Sequence, residues 1–223
     1  MQLTIQAFRY AAEPFFFSSA SDKNAKEGYA LVMKWFVIWC CALFVLISLN
    51  LNWLAPIFLR QQVYLTGLAA VPILLLANLF LGVYYNLSIW FKLTDKTYVG
   101  TWLSFGGAAI TILGNLILIP LYGYMGSAIG TLICYGLMAA VCFYLGQKHY
   151  PIPYPTVSIL LNLSIAVLVV SLTWFDTSLK EIYGNLSVNL FHLALALVWV
   201  ATIAFVERKS IAILGNRLVR RGK

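Results

Sequence analysis

Residues 97–147 read TYVGTWLSFGGAAITILGNLILIPLYGYMGSAIGTLICYGLMAAVCFYLGQ, 51 consecutive positions without a charged side chain. A helix needs roughly 20 apolar residues to cross about 30 Å of hydrocarbon. The run is long enough for two crossings. Its middle, Ile119-Pro120-Leu121-Tyr122-Gly123-Tyr124-Met125-Gly126, is a turn sequence punctuated by Pro and Gly. Two membrane helices near 99–119 and 124–146 are therefore expected.

The same pattern continues on both sides. Uncharged intervals at 35–59, 61–91, 149–175 and 182–206 each hold one further span, near 31–50, 66–88, 156–174 and 188–206. The expected fold is an all-α, polytopic transmembrane helix bundle of six full spans. Barrel strands alternate apolar and polar residues, whereas these segments are apolar on all sides. Composition agrees: 62% of the 223 residues are hydrophobic and 10% charged, against about 25% charged in a typical soluble domain. The mean hydropathy is +0.87. Lipid must be the solvent for most of this chain.

The net charge of +8 is distributed by side rather than by patch. Six spans put Lys23, Lys26, Lys34, Lys92, Lys96, Lys148, Arg208, Lys209, Arg217, Arg220, Arg221 and Lys223 on one side. The other side has Arg60 and Lys180. This asymmetry is a positive-inside signal, so the C-terminus is expected in the cytoplasm, and nucleic-acid binding is not. Cys40, Cys41, Cys134 and Cys142 all fall within spans and read as small apolar residues. No Cys/His spacing suggests a metal site, and no cofactor is expected. Asn-x-Ser matches at Asn86, Asn162 and Asn185 read as chance.

Residues 1–20, MQLTIQAFRYAAEPFFFSSA, have helical character but carry Arg9 and Glu13 in their middle. They lack the basic start, apolar stretch and small-residue cleavage site of a signal peptide. The expectation is a partial transmembrane helix over 1–20, in a chain that begins inside a longer protein. Arg9 and Glu13 are spaced i, i+4 and share a helix face. Charges at membrane depth mark substrate or ion pathways or simply neutralise each other within the bundle. Pro14 should interrupt the ladder just beyond them. The remaining units are a four-span bundle over 21–146, two accessory spans over 147–206 and a basic, amphipathic tail over 207–223.

At these residues the chain resembles the C-terminal half of the bacterial lipid-linked oligosaccharide flippases, the polysaccharide biosynthesis or O-antigen export proteins. Their superfamily also contains the multidrug and toxic-compound extruders. The phrases that carry the resemblance are QAFRYAAEPFFF (6–17), VPILLLANLFLGVYYNLSIWFKLTDKT (71–97), NLILIPLYGYMGSAIGTLICYG (115–136) and GQKHYPIPY (146–154). The resemblance extends over essentially the whole chain. The resemblance implies the second lobe of a two-lobe, alternating-access transporter, with a first lobe missing from this sequence. It also implies a bacterial inner-membrane location and cytoplasmic segments at 21–29, 92–97, 147–155 and 207–223. The implied substrate is an oligosaccharide on a pyrophosphate-bearing polyprenyl lipid.

Flipping such a lipid requires a wet cavity and cations for its pyrophosphate. Arg9 is the expected cavity cation, because Arg meets phosphate in a bidentate way. Glu13 is expected either to poise Arg9 or to act as a proton or cation site. Asn78 and Asn115, polar within apolar spans, complete the candidate substrate site, with Asn86 beside them. For each Asn, interhelical hydrogen bonding is the plainer reading. Tyr84, Tyr85 and Trp90 suit an interfacial aromatic belt. Gly126 and Gly130 suit close helix packing, and Pro72 a kink or hinge. His149 and the Lys92–Thr97 segment read as ordinary loop residues.

Two other classes bear on the same residues. A drug or cation antiporter would favour unpaired acids, whereas Glu13 has Arg9 beside it. A membrane enzyme of glycan assembly would need His, Asp or Glu gathered for acid–base work; two His and seven acids, mostly in loops, offer no such cluster. The chain is not expected to be an enzyme.

Overall fold

A computed structural model describes residues 1–22, 24–58, 67–175, 190–204 and Glu207. Arg60, Lys180, Asn185 and the tail beyond Glu207 lie outside these residues. Every regular element among them is helical: α1 (Gln2–Ser18), α2 (Ala25–Leu49), α3 (Leu51–Phe58), α4 (Val71–Leu87), α5 (Ile89–Leu93), α6 (Tyr98–Tyr122), α7 (Tyr124–His149) and α8 (Thr156–Ser171). A 3₁₀ turn, Leu172–Phe175, extends α8, and a last helix, α9, spans Leu190–Ala204. Lipid offers no hydrogen-bond partners, so each span must close its own backbone bonds.

Four helices are long and apolar enough to cross a membrane: Ala25–Leu49, Gly67–Leu93, Tyr98–Tyr122 and Tyr124–His149. The second of these joins a short 3₁₀ turn at 67–70 to α4 and α5. Residues 156–171 and 190–204 form shorter apolar helices, so the structure supports four spans where six were expected. At about 1.5 Å per residue α8 reaches only about 24 Å. The four 3₁₀ residues beyond it add about 8 Å.

The joints explain the boundaries. A single residue, Gly123, separates α6 from α7, with φ +57° and ψ −138°. Only glycine adopts that backbone without strain. Between α5 and α6, Asp95 takes a left-handed φ of 56°, and the Lys96 amide donates back to the Phe91 carbonyl at 2.8 Å. Asp and Asn are the side-chain-bearing residues that visit this region most readily. Pro72 falls in the first turn of α4, where the 3₁₀ turn at 67–70 gives way to α-helix within the Gly67–Leu93 span. Its missing N–H costs nothing there, so it starts the helix instead of hinging it.

The core forms around α2 and α4. Val37, Cys40, Cys41, Leu79 and Ala166 are buried at the contacts of α2 with α4 and α8. All four cysteines are buried and free. Trp90, expected at the interface, is buried instead. Its ring stacks flat on His149 at 5.5 Å between centroids. Gly146 makes room for it, since a Cβ there would lie 2.9 Å from the indole.

One end of the bundle is closed by a second apolar cluster. Ala12 and Phe16 of α1 meet Ala25, Tyr29 and Ala30 of α2, Ile89 of α5 and Ile152 of the proline-bearing linker. Tyr29 donates its phenol to the Phe16 carbonyl at 2.8 Å, and Gln147 donates to the Ile152 carbonyl at 2.8 Å. This end therefore collects the turns at 19–22, 94–97 and 150–155.

At the periphery, α6 packs mainly on α7 and buries only Gly107. Trp102, Phe105, Ile112, Leu113, Leu116 and Ile117 stand exposed along it. Gly126 sits directly against the Leu118 backbone, and Gly130 against Asn115 and Gly114. The small-residue pair packs within the bundle, as small residues at four-residue spacing allow.

Candidate functional site

Three charged side chains meet where α1 crosses the junction of α4 and α5. Arg9 and Glu13 lie one turn apart on α1, with Arg9 Nε 3.4 Å from Glu13 Oε1. Lys92, from α5, donates through Nζ to the same Oε1 at 2.5 Å. The short helix α5 fixes Lys92 by burying Ile89, Trp90 and Phe91 beneath it. Side-chain exposure is 34% for Arg9, 32% for Glu13 and 30% for Lys92, so each can be reached from outside. Two cations against one carboxylate leave the group with one net positive charge.

Aromatic rings frame it. The Arg9 guanidinium lies 5.1 Å from the Tyr85 ring centroid and 5.9 Å from that of Tyr10, within the range of cation–π attraction. Arg9, Glu13, Lys92, Tyr85 and Asn86 line a cavity of about 10 Å³, which is room for about one water-sized oxygen. Two buried donors in its wall, Arg9 Nε and Asn86 Nδ2, have no hydrogen-bond acceptor among the described residues. The 3.4 Å approach of Arg9 Nε to Glu13 is an ion pair without hydrogen-bond geometry. Buried donors left unanswered are costly.

No known protein family matches this chain, and comparison with characterised proteins and with solved structures finds no match. The site must be read from its own chemistry.

Arg9 and Glu13 are brought together as their spacing requires, but Asn78 and Asn115 do not join them. Asn78 donates to the Leu74 carbonyl of its own helix at 2.8 Å, the bond a polar residue makes when no neighbour offers one. Asn115 faces α7 at Gly130, and its Oδ1 is buried without a donor. Neither lines the Arg9 cavity. Lys92 is the member that sequence reasoning missed. It sits beside a polar turn and reads as a flanking charge, and only tertiary contact places it on Glu13, 79 positions away. Tyr85 and Asn86 were in view as belt and span residues rather than as the walls of this cavity.

A second polar cluster was not foreseen at all. Lys34, ten residues into α2, pairs with Glu207 beyond α9. Ser158 of α8 donates its hydroxyl to Glu207, and Asn162 Nδ2 approaches the same carboxylate at 3.4 Å. Glu207 is 1% exposed, so this pair lies inside the bundle, where sequence had put both residues in cytoplasmic flanks. A larger cleft of about 420 Å³ between α2, α4, α7 and α8 is lined by apolar side chains apart from Tyr154 and Thr156. It has no charged group with which to hold an ion. Among the described residues no three His, Cys, Asp or Glu side chains gather as a metal site.

Proposed function

We propose that this polytopic membrane protein is part of a transporter that flips or exports oligosaccharide carried on a pyrophosphate-bearing polyprenyl lipid. In this reading Arg9 recognises the anionic head. One observation carries it: a net-positive trio, Arg9–Glu13–Lys92, borders a cavity also lined by Asn86, and Arg9 Nε and Asn86 Nδ2 are buried without an acceptor among the described residues. A phosphate oxygen is the acceptor that suits an arginine fork beside an amide. The cavity admits one oxygen, so it grips an edge of the head group, and the sugar lies outside it. The resemblance of the sequence to the flippases points the same way, with a first lobe as partner and the bacterial inner membrane as location.

Glu13 already has two cations at its carboxylate, which weighs against a drug-cation antiporter, whose acid must be open to a cationic substrate. No enzymatic role is proposed. The two shorter helices, α8 with its 3₁₀ extension and α9, are read as the fifth and sixth spans.

The test is a transbilayer assay in vesicles containing the chain together with a first lobe, using a fluorescent sugar on a prenyl pyrophosphate. The labelled lipid should change leaflet with the wild type. Arg9→Ala should abolish movement while inserting normally, and Arg9→Lys should fall between, because a point charge attracts phosphate without the fork. Unchanged movement in Arg9→Ala would remove Arg9 from the mechanism. No movement with the wild type would remove the flippase reading.

A further inference from the structure

We infer that Lys92 is a positioning residue, whose contact with Glu13 keeps the Arg9 guanidinium free for an anion. The inference deepens the anion-recognition reading above and rests on it. Glu13 Oε1 is contested by two cations. Lys92 Nζ makes the hydrogen bond at 2.5 Å, while Arg9 Nε stands off at 3.4 Å with no acceptor of its own.

Arg and Glu one turn apart on a helix ordinarily pair with each other. A guanidinium closed on its carboxylate through two parallel bonds is a strong pair, with fewer donors left for a ligand. Here the carboxylate is drawn off by a third residue from another helix. Lys92 cannot drift away easily, because Trp90 and Phe91, which immediately precede it on α5, are packed into the core. Arg9 is left resting on Tyr85, and Asn86, which lines the same cavity, keeps its Nδ2 buried without an acceptor among the described residues. The arrangement holds donors ready and avoids the cost of breaking an Arg–Glu pair each time an anion arrives.

The alternative role for Lys92 is direct contact with the ligand. Its side chain also lines an open groove of about 630 Å³ with Thr97, Thr101 and Ser104. Epistasis with Glu13 separates the two roles. If Lys92 acts only by occupying Glu13, removing the carboxylate makes Lys92 dispensable; if it touches the anion, it does not.

The experiment is calorimetric titration of the full chain in detergent with a short-chain prenyl pyrophosphate. Lys92→Met should weaken binding by about tenfold or more, and Lys92→Met with Glu13→Gln should return it to within about threefold of wild type, as expected for residues coupled through contact. Lys92→Arg should retain binding. Glu13→Gln alone should bind at least as tightly as wild type, and a loss there would overturn the proposal even if Lys92→Met did not fold. Wild-type affinity in a folded Lys92→Met would also overturn it. A double variant as weak as Lys92→Met would assign Lys92 to direct contact. Wild type without measurable binding would remove the anion reading itself, and this inference with it.

Discussion

A carboxylate inside a membrane bundle must be answered by a cation or by a proton, and Glu207 is answered by Lys34, Ser158 and Asn162. Removing one partner of a buried pair leaves the other charge uncompensated, at a cost of about 3–5 kcal/mol, whereas removing both is far milder. Lys34→Met and Glu207→Gln should each lower the melting temperature in detergent sharply, and Lys34→Met with Glu207→Leu should recover most of the loss. Single variants that melt like wild type would show that the pair contributes little. The same scale shows how unevenly the sites were legible. Arg9 and Glu13 stand out because charges in an apolar helix four residues apart form a local signal. Lys92 and Glu207 carry no such signal: each lies beside a polar turn, and its partner is distant in sequence. Asn78 and Asn115 look alike by composition, and only tertiary contact shows that Asn78 is back-bonded to Leu74 and that neither lines the Arg9 cavity.

At the scale of elements, the α6–α7 pair makes the sharpest demand on sequence. A side chain at Gly126 would overlap the Leu118 backbone, which cannot yield, while one at Gly106 would meet nothing within 4 Å. Gly126→Ala should therefore destabilise by about 1–3 kcal/mol through overpacking, and Gly106→Ala should change stability by no more than about 0.5 kcal/mol. Thermal melting of the two variants side by side checks both. Gly123→Ala should also cost about 1–3 kcal/mol, because its backbone lies near a region that is essentially reserved for glycine. Long apolar runs made α6 and α7 readable almost to their ends, while α2 begins before its apolar run and α4 after it. Counting charges could not show that the apolar run at 156–174 is an α-helix of 16 residues finished by a 3₁₀ turn. Nor could it show that the helix begun at residue 71 breaks at Ser88, whose hydroxyl bonds the Tyr85 carbonyl. Local hydrogen bonding decides such breaks, and hydropathy does not record it.

At the scale of the whole molecule, the turns at 19–22, 94–97 and 150–155 gather at one end around Phe16, Tyr29 and Ile152. These are the segments that the distribution of Lys and Arg placed together in the cytoplasm. Single cysteines at Ser21, Thr97 and Pro151 should resist a membrane-impermeant maleimide in intact cells and react after permeabilisation. One at Tyr122, exposed at the far end of α6, should react from outside. The four native cysteines are buried and should give little background. Labelling of all four introduced positions from the same side would contradict the arrangement. The one-residue joint at Gly123 has a consequence for biogenesis. With no loop between them to wait on the far side, α6 and α7 must pass into the bilayer together as one hairpin. A charge introduced at Ile112, close to the midpoint of α6, costs about 2.5–3.5 kcal/mol, and that penalty falls on both helices at once, so α7, though its own sequence is untouched, would be stranded with it.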